Sequence, residues 1–345
     1  MDIAVYHPVA FVDRTKRGDP VSGIRVISRL WDSFFSLHPL QKQRVATARC
    51  FACLLPIILL FPASAYEPSA CLVLLGDIML GRGVAQAHIG ADWESALQSL
   101  HPVTRAADLA LANLESPIGC ETPALTGNSR SLVAPPEAVA ALSSAGLDVL
   151  STVNNHARDA GDRGAKCTGD SLAGKGILVL DSSSTPLEIR VHGINISVLA
   201  FDFTGEVTPA AVENLERRVR EASSAGKIVV VSLHWGMEYQ AGHDAGQLRI
   251  ARRLAASHAD ILWGHHPHVV QEAEWIAETL VLYSLGNAVF DQQEPESVRR
   301  GELVWIEVDR RGVRFFAELP FAIDARLGKT KSMDLFSTRF SFNPS

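Results

Sequence analysis

What this sequence lacks narrows its function early. It has no lysine- or arginine-rich run and no basic stripe, and its net charge is −6 over 345 residues. Nucleic acid is therefore not an expected partner. The apolar stretch from Phe51 to Phe61 is far short of the ~20 residues that a membrane-spanning helix needs. No linker rich in Pro, Gly or Ser divides residues 71–322, which reads as one domain. The glycine-rich stretch GDIMLGRG lacks the Lys-Ser/Thr of a P-loop, so nucleotide binding of that type is unsupported. Cysteine is scarce, with five in all and no thiolate well placed for a metal.

The first 65 residues carry +4, which leaves −10 for the remainder. Within this basic segment a charged stretch precedes the apolar one, and Ala63-Ser64-Ala65 follows as a small-x-small cleavage site. Residues 41–65 thus read as a secretory signal peptide, and the mature protein is expected outside the cytoplasm or in the periplasm. Residues 1–40 carry no readable motif; a translation start near Leu40 or Val45 would leave an ordinary signal. Cys71 follows Pro68-Ser69-Ala70, a poor lipoprotein signal, so no lipid anchor is expected. Export permits a disulfide. Cys120–Cys167 is the expected pair, because Cys71 opens a buried strand.

From Cys71 onward, short apolar runs alternate with helical stretches. The runs are CLVLLGD, ADLALANLE, LDVLSTVNNH, KIVVVSLHWG, ADILWGHHPH and TLVLYSLGN. Continuous apolar runs of this length suit strands buried on both faces. Helices are expected over APPEAVAALSSAG, from Thr208 to Gly226, and over AGQLRIARRLAASH. The alternation predicts an α/β fold with a largely parallel sheet. Two hairpins, turning at His192-Gly193 and at Arg310-Arg311-Gly312, suggest a second, partly antiparallel sheet. The expected domain runs over 66–322, followed by a polar tail over 323–345.

Each apolar run ends in residues able to bind a metal or orient a ligand. These are Asp77, then Asn113 and Glu115, then Asn154, Asn155 and His156, then His234, then His265, His266 and His268, and Asn287. In open α/β sheets ligands bind beyond the carboxyl ends of the strands. Neighbouring strands would bring these ends to one rim. Taken singly, each has a plainer reading: Asp77 as a helix cap, Asn154-Asn155 as a turn, His234 as a buried histidine. His266-Pro267-His268 is the most specific feature, since Pro267 stiffens a turn between two imidazoles. One Asp, one Glu, one Asn and three His form an N/O donor set suited to Zn, Mn or Fe. Six donors exceed one tetrahedral site and fit a metal pair sharing a carboxylate, an arrangement that activates water for hydrolysis. The other histidines, His88, His101, His192, His243 and His258, read as surface residues, with His243 able to edge the pocket.

The stretches GDIMLGR, ADLALANLESPI, APPE, AGLDVLSTVNNHARDAGDRG, SLHWGMEYQ, GHHPHVVQ and YSLGNAVFDQ resemble, in order, the CapA family of bacterial capsule-synthesis proteins. That family is similar to the calcineurin-like metallophosphoesterases. The resemblance implies a four-layer α/β/β/α sandwich with a dimetal centre at the strand ends. It implies Asp77, Glu115, Asn155, His234, His266 and His268 as metal ligands, with Glu115 bridging, and His156 as catalytic. Asp159 would orient His156. Asn113, Arg82, Asn154, His265 and Asn287 would support the ligands or face substrate. The cofactor would be one or two divalent ions. Partners would be an anionic envelope polymer or a phosphoester, and a membrane capsule synthase complex. This sequence departs from the phosphoesterase pattern at Met79, where a histidine of D-x-H would stand, at NLE in place of G-D-x-x-D, and from the CapA pattern at Val153. A weakened first site is compatible with one metal, or with a fold that binds polymer without hydrolysing it.

Overall fold

The computed structural model describes residues 12–13, 68–88, 90, 92–122, 132–182, 185–326, 329–333 and 337–343. The expected signal peptide and all but two residues of the expected extension lie outside these. In chain order come β1 (Val12–Asp13), β2 (Ala70–Ile78), α1 (Arg82–Ala87), a 3₁₀ segment (Trp93–Leu100) and α2 (His101–Thr104). β3 (Leu109–Leu114), α3 (Val139–Ser144), β4 (Val149–Ser151), α4 (Gly161–Ala173) and β5 (Leu178–Leu180) follow. Then come β6 (Leu187–Val191), β7 (Ile194–Asp202), α5 (Pro209–Ser224), β8 (Ile228–His234), α6 (Ala245–Ala256) and β9 (Ile261–His265). β10 (Ala273–Ile276), β11 (Thr279–Leu282), β12 (Asn287–Val289), β13 (Arg300–Asp309), β14 (Gly312–Asp324), β15 (Lys329–Met333) and β16 (Arg339–Phe342) complete the order.

The alternation of core residues explains the layering. In β2 and β3, Val73, Leu75, Ala110 and Ala112 point to one side and pack on residues of α1 to α4 such as Val84, Val103, Leu142 and Leu172. Leu72, Leu74, Leu109 and Leu111 point to the other side and meet Ile196, Val198, Val230 and Trp263 of a second sheet. The far face of that sheet, through Val229, Val231 and Leu262, is covered by Leu215 and Val219 of α5 and Ile250 and Leu254 of α6. Three apolar cores therefore separate four layers, helices on sheet on sheet on helices. This is the calcineurin-like α/β/β/α arrangement. No helix among the described residues is long and apolar enough to cross a membrane.

The six apolar runs divide three and three. β2, β3 and β4 are parallel neighbours in a nine-stranded sheet. β8, β9 and β11 are parallel neighbours in a seven-stranded sheet. The two hairpins do not form a sheet of their own. β6–β7 extends the seven-stranded sheet, and β13–β14 extends the nine-stranded one. The polar segment after Asp324 also joins the fold, since β15 and β16 both pair with β14. Two of the histidines read as surface residues are not so. His88 is buried and stacks on Trp93 at 4.9 Å, and His192 bonds Asp108 at 3.0 Å.

The expected cysteine pair is present, with Cys120 bonded to Cys167 and Cys71 buried as a free thiol. The disulfide ties the loop after β3 to α4. It thus braces the two segments that follow Glu115 and His156.

Candidate metal centre

The carboxyl ends of both parallel triplets meet across the sandwich. Gly76 lets β2 run directly beside the chain entering β12: a Cβ there would stand 1.8 Å from the carbonyl oxygen of Gly286. Trp263 of β9 donates its indole N–H to the carbonyl of Leu75 at 2.9 Å, which pins one sheet to the other just below the strand ends. Above this bond lie Asp77, Asn113, Glu115, His234, His265, His266, His268 and Asn287, all buried.

Glu115 sits at the common corner. Its Oε1 is 3.6 Å from His268 Nε2 and 3.8 Å from His234 Nε2. Two donor triads share it: Glu115 with His266 and His268, and Glu115 with Asp77 and His234, each with its ligand atoms within 4.8 Å of one another. Burial pushes the Glu115 carboxyl well above its ordinary range, His268 pulls it partly back, and the charge of Asp77 raises it further. Burial also acts on Asp77, but the histidines around it outweigh that and hold its carboxyl low. His268 is pushed up to about 9: burial opposes its charge, and Glu115 and Asp77 more than compensate. His234 is driven well down, chiefly by burial, as is His265, to about 4.

The neighbours orient these groups. Asn113 donates to Asp77 Oδ1 at 2.8 Å, and the backbone N–H of His266 donates to Asp77 Oδ2 at 3.2 Å. Asn154 donates to Asn113 Oδ1 at 3.1 Å and to the carbonyl of Leu114 at 2.9 Å, while its own oxygen accepts the N–H of His156 at 3.1 Å. Asn154 therefore fixes the turn that carries Asn155 and His156. Asn155 Oδ1 lies 2.9 Å from His234 Nε2. His156, at the rim, holds Nδ1 3.0 Å from Asp159 Oδ2. His268 Nδ1 is 3.0 Å from Asn287 Oδ1 and 3.5 Å from Asp77 Oδ2. His265 Nδ1 is 3.5 Å from Asp77 Oδ1, so His265 lies beneath Asp77 and outside both triads. His266 and His268 both take left-handed backbone angles, φ +94° and +58°. Non-glycine residues hold such angles where the surroundings dictate them.

The donor chemistry fits a metal. Among the described residues, both oxygens of Glu115, Nδ1 of His234 and Nδ1 of His266 are buried without a hydrogen-bond partner. Buried carboxylate and imidazole atoms left unpaired are costly, and a bound cation satisfies them together. Met79 takes no part. Its side chain lies in the core beneath the helices, and its sulfur accepts the N–H of Gly81 at 3.1 Å.

At the opening, Arg82 pairs with Asp291 and lies over the ring of Phe290. Asp291 was not apparent from residue types alone, nor were Tyr239 and Gln292, whose hydroxyl and amide meet at 3.2 Å. All three fall inside the stretches SLHWGMEYQ and YSLGNAVFDQ, so that resemblance was the one signal for them. His243 lies away from the triads, bonded to Glu272 and stacked on Tyr283 at 4.1 Å.

A double-layered sandwich whose joined strand ends gather carboxylates and histidines is a metallophosphatase-like protein. Residues 71–292 match the family described as bacterial capsule synthesis protein PGA_cap. The chain is 32% identical over 268 residues to the PGA biosynthesis protein CapA of Bacillus subtilis (strain 168), covering 72% of this chain and 70% of that protein. It is 28% identical over 249 residues to the capsule biosynthesis protein CapA of Bacillus anthracis, covering 64% of this chain and 60% of that protein. It is 24% identical over 291 residues to a probable polyglutamine synthesis accessory protein of Mycobacterium tuberculosis, covering 66% and 76%. The chain belongs to the PGA_cap family.

Proposed function

We propose that this chain is an exported, metal-dependent hydrolase or transferase acting on an anionic envelope polymer or a phosphoester in capsule or poly-γ-glutamate formation. Buried, unpartnered Glu115 at the corner of two donor triads is the observation that carries this reading. The names of the Bacillus relatives support the setting. Asp77, Glu115, Asn155, His234, His266 and His268 would hold one or two ions, with Mn, Zn or Fe suited to the donors. When bound, the metal supplies Lewis acidity and a water of lowered pKa.

The remaining work falls to the chain itself. Asp159 engages Nδ1 of His156, which leaves Nε2 to exchange a proton with a leaving or attacking oxygen. Arg82, the first residue of α1, stands at the opening paired with Asp291 and would meet an anionic substrate there. The seclusion of Met79 in the core favours a second reading, in which the same rim holds polymer or docks on a membrane synthase without turnover.

Elemental analysis of the purified mature protein, with a phosphoesterase and amidase panel repeated on His266→Ala, separates these. Metal with turnover that His266→Ala abolishes supports the enzyme. Metal without turnover leaves the binding role. Protein folded with Mn, Zn and Fe present that retains no metal sinks the ligand assignment.

A further inference from the structure

The end of the sandwich opposite the metal centre carries side chains that the catalytic reading does not use. β16 lies at an edge of the nine-stranded sheet, paired with β14. Its Phe340 and Phe342 are 61% and 73% exposed, the most exposed large apolar side chains among the described residues. They gather around half-buried Phe315, with ring centroids 6.1 Å and 5.4 Å from it. On the other face of the strand, Ser341 Oγ accepts the indole N–H of half-buried Trp275 at 3.4 Å. Sheet edges are ordinarily blunted with charge, so a cluster of exposed rings on one marks a contact surface.

Register fixes where this cluster sits. Phe342 pairs with Phe315, Phe315 with Glu307, and Glu307 with Cys71. Cys71 stands six residues before Asp77 in β2, so about 20 Å separate this level from the metal centre. The chain enters the fold at the same end, because Ala70, the first residue of β2, pairs with Val308. Both hairpin turns lie there side by side: a Cβ on Gly193 would stand 4.0 Å from Arg310 Nη2.

The charge of this end opposes that of the body. Arg310 and Arg311 on the β13–β14 turn, Arg105 before β3 and Lys175 before β5 are exposed, with Glu278 exposed against them. Other acids here are already engaged: Asp108 by His192 at 3.0 Å, Asp309 by Arg314 at 3.7 Å, and Asp260 by the N–H of Val229. A basic end on a body that carries −10 beyond residue 65 is complementary to an anionic surface.

We propose that this end rests on a lipid bilayer bearing anionic headgroups. Phe340 and Phe342 insert at the headgroup level, Arg310 and Arg311 lie over the phosphates, and the metal centre is held on the side away from the membrane. The proposal takes up the exported setting given above and is independent of the metal ligands.

The test is sedimentation of the mature chain from residue 66 with vesicles of phosphatidylglycerol and phosphatidylcholine in equal parts, beside vesicles of phosphatidylcholine alone. Wild type should sediment with the first and stay in solution with the second. Phe340→Ser with Phe342→Ser should weaken binding at least about tenfold. Arg310→Ala with Arg311→Ala should weaken it about 25-fold, at about fivefold for each charge. Phe342→Trp, which keeps an interfacial ring, should bind at least as well as wild type. Unchanged binding in both double variants overturns the proposal, as does a wild type that ignores the anionic vesicles. A concentration-dependent dimer that the phenylalanine variant breaks, without vesicle binding, also overturns it and gives the edge to a second copy of the chain. Purified protein is read here without reference to export, so failure leaves the exported setting standing; N-terminal sequencing of protein recovered from outside the cytoplasm tests that separately.

Discussion

His156 and Asp159 give the sharpest test at the scale of single residues. Neither belongs to a donor triad, and their 3.0 Å contact lies at the rim. His156→Asn is expected to lower turnover by about 10²- to 10³-fold. Asp159→Asn should lower it by roughly tenfold, because the ring keeps a partner but loses a charged one. Metal content measured on the same samples should be unchanged in both. A loss of metal instead would make His156 a support of the centre. The residues that close the site were legible because each stands directly after an apolar run, where a polar side chain has few structural reasons to be. His88 misled because one histidine beside a helical stretch carries no mark of which face it occupies, and here it stacks on Trp93. Tyr239 was marked only by its place in the stretch SLHWGMEYQ, because it sits in a loop and only the fold brings it to His268.

Among the elements, continuous apolar runs announced buried strands, and all six runs contain one. Their division into two sheets was not legible, because hydrophobic period fixes which faces are buried and says nothing of partners. Both hairpins turn where their glycines predicted, yet each joins a different sheet. The last strands were missed because β16 is a largely exposed edge with no apolar run to mark it. The disulfide makes a prediction at this scale. It closes a loop of 47 residues, worth about 4 kcal/mol at most if unfolded-chain entropy dominates. Cys120→Ser with Cys167→Ser should therefore lower the urea midpoint clearly, with an m-value that rises because the unfolded chain is no longer cross-linked. It should also weaken Mn binding, since the bond braces the loop after Glu115 and the helix after His156. A midpoint within error of wild type would mean that α4 docks without it.

For the whole molecule, stability against pH sets two kinds of buried group in opposition. His234 and His265 are held neutral by burial, so acidification stabilises the unfolded chain, which takes up the protons they refuse. Asp260 acts in the other direction. It lies just before β9, at the opposite end of the strands from the metal centre, where it accepts the N–H of Val229 at 2.7 Å. Burial pushes its carboxyl up to about 7; the Val229 N–H eases this and Glu278 adds to it. Glu302 is likewise pushed up to about 7, by burial first and then by Glu318, with Arg339 offsetting. A carboxyl raised on folding binds its proton more tightly in the folded state. Its contribution is complete below the unfolded value near 4 and is lost as pH rises through 7. The opposed slopes partly cancel in the wild type, so the difference from a single variant is the informative quantity. Asp260→Asn keeps an oxygen for Val229 and cannot ionise. Relative to wild type it should gain stability steadily from pH 4 to pH 7, by roughly 2–4 kcal/mol, and hold that gain above. Urea unfolding of both proteins from pH 4.5 to 8.5 measures it. The histidines and the metal centre are common to both and drop out of the difference, so a pH-independent gap would show that Asp260 ionises freely in the folded protein.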